Sequence, residues 1–588
     1  MLKVQSVPAR KTKSFCPRPR GTPNLSLFVY IICLCAHIGG FLVGYNAGSI
    51  IRAMTFIPKN FTDVNSFLQT LIICTSPTFA ILGALLSAFL ADKYGRKNSI
   101  IASSFLQTFG SMLTAICAEK YMIIAGRILI GIGSGIAATV VPIYVAEVAP
   151  AHVRGRLACG FFFMLAFGQT CANLIAEGFS YVSPIYVGFR FMLGFSSIPS
   201  IIQFITVFCI PESPRWLVKQ NRVDDARRVV SSIYSNNMSW IDYEMNEISI
   251  ACSENKITGA EEGNPSTIRR ILKTPHVLKA LIIGSLLQAF QQSSASTLIT
   301  YFTTQLVQTS GFSDLSIWIS FTISLLRVLS TLVPIMLVDR IGRRILLIVS
   351  ILGVAVLLLL MSAGFYAMNR DTSPTLSPAF PLQGFDNNKC FGLSNCGNCI
   401  SNEKCGFCKA AGAKKGYCLP RGTDTAVSLV GPCMNLTREI MPKYEWSLNF
   451  CASDFALIPI VLMGIYTVFY SIGMGPLPWL HNAEFFPLWA RATCASFTTA
   501  INWAFNLLFS LLFLFLSQQL TKPVVFAIYS GVTFIGLFFV SVSVPETRNY
   551  SIEEIEILFM SNKDRMKKEE HMKTNFSPMT LSDPVIQY

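Results

Sequence analysis

The sequence predicts an all-α membrane protein of twelve transmembrane helices, built as two six-helix halves with a small disulfide-rich module outside the lipid. Three observations carry that prediction. The 588 residues are 52% hydrophobic and only 13% charged, more apolar sequence than a soluble core of this size can enclose. Twelve apolar stretches, starting near residues 26, 67, 98, 121, 157, 191, 276, 314, 344, 454, 488 and 523, are long enough to cross roughly 30 Å of hydrocarbon at about 1.5 Å per residue. A basic signature occurs twice, as Asp92-Lys93-Tyr94-Gly95-Arg96-Lys97 and as Asp339-Arg340-Ile341-Gly342-Arg343-Arg344, each after the second apolar stretch of its half, which marks a duplicated unit.

The elements follow in order. Residues 1–24 form a tail whose Lys3, Arg10, Lys11, Lys13, Arg18 and Arg20 face no acid, so the positive-inside rule places it in the cytoplasm. An even number of spans returns the C-terminus to the same side. The first half covers 25–211, and its first apolar stretch is too long for a cleavable signal peptide. Residues 212–275, polar and helix-compatible, make a cytoplasmic linker. Helices seven to nine fill 276–367, an external loop fills 368–453, and helices ten to twelve fill 454–544. The tail at 545–588 is polar beyond a short acidic helix at Glu553, Glu554 and Glu556. The net charge of +15 then reads as topology and attraction to the lipid surface, not as a nucleic-acid footprint.

Cysteine usage changes in the external loop, which holds Cys390, Cys396, Cys399, Cys405, Cys408, Cys418, Cys433 and Cys451, eight of the eighteen. An even number in an oxidising compartment implies a disulfide framework, with 105 possible pairings. The spacings Cys396-x2-Cys399 and Cys405-x2-Cys408 would also suit zinc, but the compartment argues against it. Sequons at Asn60 and Asn435 fall on external loops and are expected glycosylation sites, whereas those at Asn24, Asn237, Asn549 and Asn575 fall inside. External disulfides and sequons point to the cell surface. The loop could bind an extracellular partner or only constrain the outer mouth.

A glycine-dense run, Gly126-Arg127 to Gly135, allows close helix contact in lipid and leads to Pro142-Ile143-Tyr144, Glu147 and Arg154-Gly155-Arg156. Pro211-Glu212-Ser213-Pro214-Arg215 and Pro545-Glu546-Thr547 close the two halves. The second half adds Gln288, Gln291-Gln292, Gly475-Pro476-Leu477-Pro478-Trp479, Glu484, Arg491 and Asn502-Trp503. Together these residues resemble the sugar porter family of the major facilitator superfamily, over essentially the whole membrane domain. The cysteine-rich loop, Gly473-Met474-Gly475-Pro476 and Phe486-Pro487-Leu488-Trp489-Ala490-Arg491 most resemble its branch of proton myo-inositol cotransporters, and Cys405-Gly406-Phe407-Cys408 also looks like the small disulfide module of plexins, semaphorins and integrins. The resemblance implies a secondary carrier that moves a cyclic polyol of the myo-inositol type, or a hexose, by alternating access, without enzymatic chemistry, cofactor or metal.

Electrostatics supplies a reason for the signatures. Asp92 and Asp339 can pair with arginines such as Arg156 or cap a neighbouring helix, and Glu147, Glu212, Glu484 and Glu546 can meet Arg96, Arg343 and Arg491. The family uses such networks to latch the cytoplasmic side; the plainer alternative is a set of surface pairs worth roughly 0–1 kcal/mol each. A polyol needs carboxamides that both donate and accept, with an aromatic face for ring C–H groups. Gln288, Gln291 and Gln292 lie within about one helical turn, with Trp479, Asn502 and Asn506 from later spans. The family's substrate positions match Gln291, Gln292 and Trp479; the alternative for each glutamine is an interhelical bond.

The chain also departs from the family pattern. Proton-coupled relatives carry an aspartate in the first span, paired with the arginine matched by Arg127; here the stretch reads Gly44-Tyr45-Asn46-Ala47-Gly48. Asn46 cannot titrate, which argues for facilitative uniport where kinship argues for proton symport. His37, about 180° around the helix from Asn46, is either a proton relay or a structural histidine. Phe162 stands where glucose carriers have a glutamine. Gln291-Gln292-Ser293-Ser294-Ala295-Ser296-Thr297 lacks the family's glycine and asparagine, leaving Thr297 at the asparagine's place. Arg327 replaces a substrate-contacting asparagine in span eight, where it either lines the aqueous cavity or bonds adjacent helices. Four altered pocket positions also keep open a non-transporting nutrient sensor.

Overall fold

The protein is described from a computed structural model, which covers residues 23–561 and a few beyond, apart from 62, 181–183, 262–266, 300–302, 304–315, 377–389, 435–443, 549, 551 and scattered positions between 401 and 456. Its long helices are α1 (Leu27–Ala53), α2 (Ser66–Lys93), α3 (Arg96–Ala115), α4 (Lys120–Val148), α5 (Arg154–Ser180) and α6 (Ile185–Cys209). The second set is α7 (Pro275–Ser293), α8 (Ser316–Ile341), α9 (Arg343–Asp371), α10 (Leu457–Glu484), α11 (Arg491–Gln519) and α12 (Lys522–Ser543). Among the described residues ten of these are long and apolar enough to cross a membrane. The exceptions to the expected twelve are α3 and α7. α3 opens on Arg96, Lys97 and Asn98 and buries Ser99, Ser103, Ser104 and Gln107, while α7 carries His276, Lys279 and three glutamines. The serines and Gln107 of α3 and the three glutamines of α7 are buried inside the bundle, so composition alone undervalues both helices.

The duplication is visible in the packing. In the first set α1 packs on α5, and α4 packs on both α2 and α3; in the second, α7 packs on α11, and α10 packs on both α8 and α9. The halves meet through α2 against α11 and α5 against α8. Close approach needs missing side chains. A Cβ on Gly44 would lie 1.9 Å from the Leu165 carbonyl oxygen, and one on Gly135 would lie 2.1 Å from that of Ala80, so these crossings admit only glycine. Side-chain caps start α1 and α2: the Ser26 hydroxyl accepts from the Phe28 N–H (3.2 Å), and the Asn65 carbonyl accepts from Leu68 (3.0 Å).

Both signatures lie at one end of the bundle, here the signature end, together with the linker helices Pro214–Lys219, Val223–Ile233, Met238–Glu261 and Thr267–Lys273. The linker binds the start of α1 through the Ser26 N–H and the Ile233 carbonyl, 3.1 Å apart. At the opposite, loop end sit Asn60 and the cysteine module. Asn435 lies outside the described residues.

All eight module cysteines are in disulfides: Cys390–Cys405, Cys396–Cys451, Cys399–Cys418 and Cys408–Cys433. No thiolate is left there for zinc. A feature the all-helical expectation lacked is a three-stranded antiparallel sheet, β1 (Cys405–Ala410), β2 (Gly416–Pro420) and β3 (Tyr444–Ser447), in the order β2-β1-β3. The module is too small to build an ordinary core. Its interior is Phe407 and Leu419 among the cystines. Asn395 Nδ2 donates to the Asn369 carbonyl (2.9 Å) and so ties the module to the end of α9.

Candidate functional site

The site is built around a break in α10. Proline at 476 and 478 removes backbone donors and interrupts the helix at Gly473–Pro476, freeing carbonyls that must find partners inside the bundle. Glutamines of α7 supply them. Gln291 Nε2 donates to the Met474 (3.0 Å) and Gly475 (2.7 Å) carbonyls, and Gln288 Nε2 to that of Pro478 (3.1 Å). Asn502 of α11 then joins the three glutamines: its Nδ2 donates to Gln288 Oε1 and Gln291 Oε1, both at 2.7 Å, and its Oδ1 accepts from Gln292 Nε2 at 3.0 Å. Gln292 Oε1 accepts from Thr297 Oγ1 (2.9 Å) and Asn506 Nδ2 (3.2 Å).

This network forms one wall of a cavity between the halves, about 750 Å³ of space with open solvent included. Gln291, Gln292, Thr297, Trp479, Asn502 and Asn506 line it from the second half, and Val43, Ala47, Phe161, Phe162 and Gln169 from the first. Donors, acceptors and an indole face thus surround one space, the chemistry that holds polyhydroxylated molecules. Gln288 is corrected: it is wholly buried and lines no part of the cavity, its capacity being spent on Pro478 and Asn502. Gln169, Tyr470 and Phe161 also line cavities here, and the sequence reading missed them. A carboxamide in the middle of an apolar span was the available signal for Gln169.

Past Ser293 the chain turns with Ala295 at φ 65°, at the place where the resembled pattern has glycine. An alanine in that left-handed region is strained by about 1 kcal/mol. Ala295→Gly is expected to stabilise the folded protein by about that amount, read as a higher midpoint of thermal unfolding in detergent.

Arg327 of α8 lines the cavity. Its Nη1 donates to Gln169 Oε1 across the halves (2.8 Å), and its guanidinium lies 5.3 Å from the Phe162 ring and 5.7 Å from Tyr470. The two boldest departures from the family pattern, Phe162 and Arg327, are therefore one contact. In the coupling region Asn46 and Arg127 are in contact. Arg127 Nη1 donates to the backbone carbonyl of Asn46 (3.1 Å), and the Asn46 side chain faces Gln107 Oε1 with its Nδ2 at 3.5 Å. His37 is buried against α5, where a Cβ on Gly160 would lie 2.7 Å from its ring, and it lines neither described cavity around Arg327.

At the signature end both motifs solve the same local problem. Gly95 (φ +93°) and Gly342 (φ +111°) begin α3 and α9. Glu212 accepts from the N–H groups of Arg96 (2.9 Å) and Lys97 (3.1 Å), and Glu546 from those of Arg343 and Arg344, both 3.0 Å. These two acids were expected to meet arginine side chains. They instead cap helices, because exposed N-terminal amides attract a carboxylate. Burial pushes the Glu212 carboxyl above its ordinary range, against the pull of the amides it accepts from and of Arg96.

Glu147 is the hub of the ion-pair layer. Its carboxylate meets Arg96 Nη2 (3.0 Å), Arg491 Nη1 (3.2 Å) and Ser213 Oγ (2.5 Å). Arg343 lies 3.1 Å from Asp339 and 3.6 Å from Glu484. Asp92 pairs with Lys219 at 3.0 Å and stands 4.0 Å from Arg96. Two of these contacts cross between the halves: Glu147 to Arg491, and Asp339 to the Arg156 N–H (3.1 Å) and Nε (3.5 Å).

A two-half helical bundle with a central polar cavity and a charged layer at one mouth can be compared with known proteins. The profile of the family described as sugar (and other) transporter matches residues 32–380 and 443–559. The chain belongs to this transporter family. The gap in the match falls on the cysteine module. A proton myo-inositol cotransporter of Caenorhabditis elegans is 40% identical, covering 94% of this chain and 93% of that protein. The human proton myo-inositol cotransporter is 34% identical over 95% of this chain and 87% of its own length. Among solved structures, the proton:xylose symporter XylE bound to 6-bromo-6-deoxy-D-glucose superposes with a TM-score of 0.70 at 20% identity, covering 91% of this chain and 99% of that one; this shows a shared major facilitator fold. The protein is thus a multi-pass membrane transporter and not an enzyme.

Proposed function

We propose that the transporter is a secondary carrier for a cyclic polyol of the myo-inositol type or a hexose, working by alternating access across twelve spans. The observation that carries this reading is the carboxamide network of Gln291, Gln292, Asn502 and Asn506 facing Trp479 in a cavity shared by both halves. In this reading the signature end and both termini are cytoplasmic, as the basic N-terminal tail requires, and the module and Asn60 are external. The contacts of Glu147 with Arg491 and of Asp339 with Arg156 latch the cytoplasmic mouth, and their breakage lets the halves rock about the bound polyol. An uptake assay in oocytes against a panel of cyclitols and hexoses tests it; no uptake of any of them by protein verified at the surface would defeat it.

Coupling follows from the residue at 46. The relatives named above are proton cotransporters, but an asparagine holding Arg127 by its backbone carbonyl has no proton to exchange. Wild-type uptake is therefore expected to be flat between about pH 5.5 and 7.5 with no substrate-evoked current, whereas Asn46→Asp restores a group with an ordinary pKa near 3.9 beside Arg127 and is expected to make uptake rise in acid. Inositol-evoked inward current in the wild type that grows at acid pH would overturn the uniport assignment.

A further inference from the structure

The last linker helix, Thr267–Lys273, carries an apolar strip that the bundle leaves uncovered. Ile271 is 4% exposed and packs into the main core, but Ile268 and Leu272 are 64% and 61% exposed. At about 100° per residue these two share one stripe, and Arg269 and Lys273 form a second stripe about 100° further round, also exposed. Arg270 lies on another side of the helix, its guanidinium 4.2 Å from the centroid of the Trp489 ring. Ile271 and Arg270 therefore hold the helix to the protein, while its outer side presents an apolar strip edged with positive charge. That is the pattern of a helix seated in a membrane interface.

Two features of the chain indicate what covers this strip. The backbone turns out of helical geometry at Thr274 (φ −97°, ψ 102°) before Pro275 opens α7, so the short helix does not simply continue that span. Past the turn Ile282 is again 41% exposed, on a span whose outer surface meets lipid, so the apolar strip is continuous with the lipid-facing side of α7. Residues 267–279 also hold Arg269, Arg270, Lys273 and Lys279 and no aspartate or glutamate, a density of basic residues beside a span that draws anionic lipid. Glu556 of the C-terminal segment approaches them at His276 Nε2 (2.9 Å), beyond the turn. Resting on the cytoplasmic placement of the signature end above, we propose that this helix is a docking site for anionic phospholipid of the inner leaflet, with Ile268 and Leu272 among the acyl chains and Arg269 and Lys273 on headgroup phosphates. The helix runs through Thr274 into α7, which carries Gln291 and Gln292 of the cavity. Lipid seated on it holds the start of that span at the membrane surface.

The test is hydrogen exchange of the whole protein in nanodiscs of phosphatidylcholine alone and of phosphatidylcholine with about one fifth phosphatidylserine, which supplies a negative surface. Amides of 267–273 are expected to exchange at least about fivefold more slowly in the serine-containing discs, since each basic residue near an anionic surface favours the docked helix. Salt at about 1 M should remove most of that difference. The double variant Arg269→Gln/Lys273→Gln should lose the lipid dependence, while Lys59→Gln, at the loop end, should keep it. Equal exchange in the two lipids, or an undiminished response in the double variant, would overturn the proposal. Equal protection in detergent without phospholipid would assign the strip to another part of this chain or to a second copy, and protection by inositol hexakisphosphate in phosphatidylcholine discs would assign it to free phosphates; either result also overturns the lipid assignment. Both leaflets of a nanodisc have one composition, so these outcomes do not depend on which end faces the cytoplasm. That placement has its own test: a Lys273→Cys variant labelled in intact cells by an impermeant maleimide above the wild-type level would defeat it whatever the lipid result. The wild-type lipid and salt comparisons decide the docking even if the variants do not reconstitute.

Discussion

Glu147→Gln is expected to abolish most uptake, by at least about tenfold, while the protein still reaches the membrane. The carboxylate is fully buried and neutralises Arg96 and Arg491, themselves about 1% exposed. Removing one partner of a buried ion pair costs about 3–5 kcal/mol, because it strands the other charge. Here two guanidinium groups lose a shared carboxylate at once. The contact with Arg96 stays within the first half, whereas that with Arg491 crosses between the halves and, on the proposed latch, breaks when the signature end opens. The loss therefore weighs against the closed state, and a shift of 3 kcal/mol changes its population by about 150-fold. Cys159, buried beside Asp339 and Arg343, is a native reporter. Its labelling by a membrane-permeant maleimide, measured against a Cys159→Ser background, should accelerate in the variant. Wild-type uptake with unchanged labelling would sink the latch.

The second large effect is expected from Asn502→Leu. Asn502 is one residue bonded to Gln288, Gln291 and Gln292, and those glutamines in turn hold the freed carbonyls of the α10 break. Leucine removes a hub and takes from Gln288 Oε1, Gln291 Oε1 and Gln292 Nε2 the partner that Asn502 supplies, and a buried polar atom left unpaired costs about 1–3 kcal/mol. Substrate loses a contact and a positioned wall together, so uptake at low substrate should fall about 100-fold or more, with a raised half-saturation concentration. Among the described residues the Asn506 side chain bonds Gln292 and Thr297, so Asn506→Leu should lose less. Equal losses from the two variants would contradict the hub role.

The cytoplasmic motifs show what kind of information a linear pattern holds. Asp92, Arg96, Glu147, Asp339, Arg343 and Arg491 stand out because charges beside apolar spans are costly unless paired, and the structure pairs them. Which partner each takes was not legible. Glu212 and Glu546 were expected on arginines and sit instead on the amides that open α3 and α9, since the glycines at 95 and 342 expose those amides at the end of a helix. Gln288, Gln291 and Gln292 looked alike as sequence. The break in α10 separated them, drawing Gln288 and Gln291 onto its carbonyls and leaving Gln292 with Thr297 and Asn506 at the cavity.

By itself the sequence determined that this chain is a membrane-embedded bundle of two related halves with an oxidised module, because hydropathy, the repeated signature and cysteine crowding are properties of composition and order. Among the described residues ten helices met the length and apolarity of a span, while α3 and α7 fell short through polar residues, many of them buried. The tertiary structure alone decided the four disulfide pairings out of 105, the sheet that carries three of the cysteines, the seclusion of His37 from the cavity, and the meeting of Arg327 with Phe162 and Gln169. Those outcomes depend on how each helix is rotated about its axis and how near its neighbour lies. Residues 158 positions apart, as Gln169 and Arg327 are, are brought within hydrogen-bond distance only when the two halves pack together.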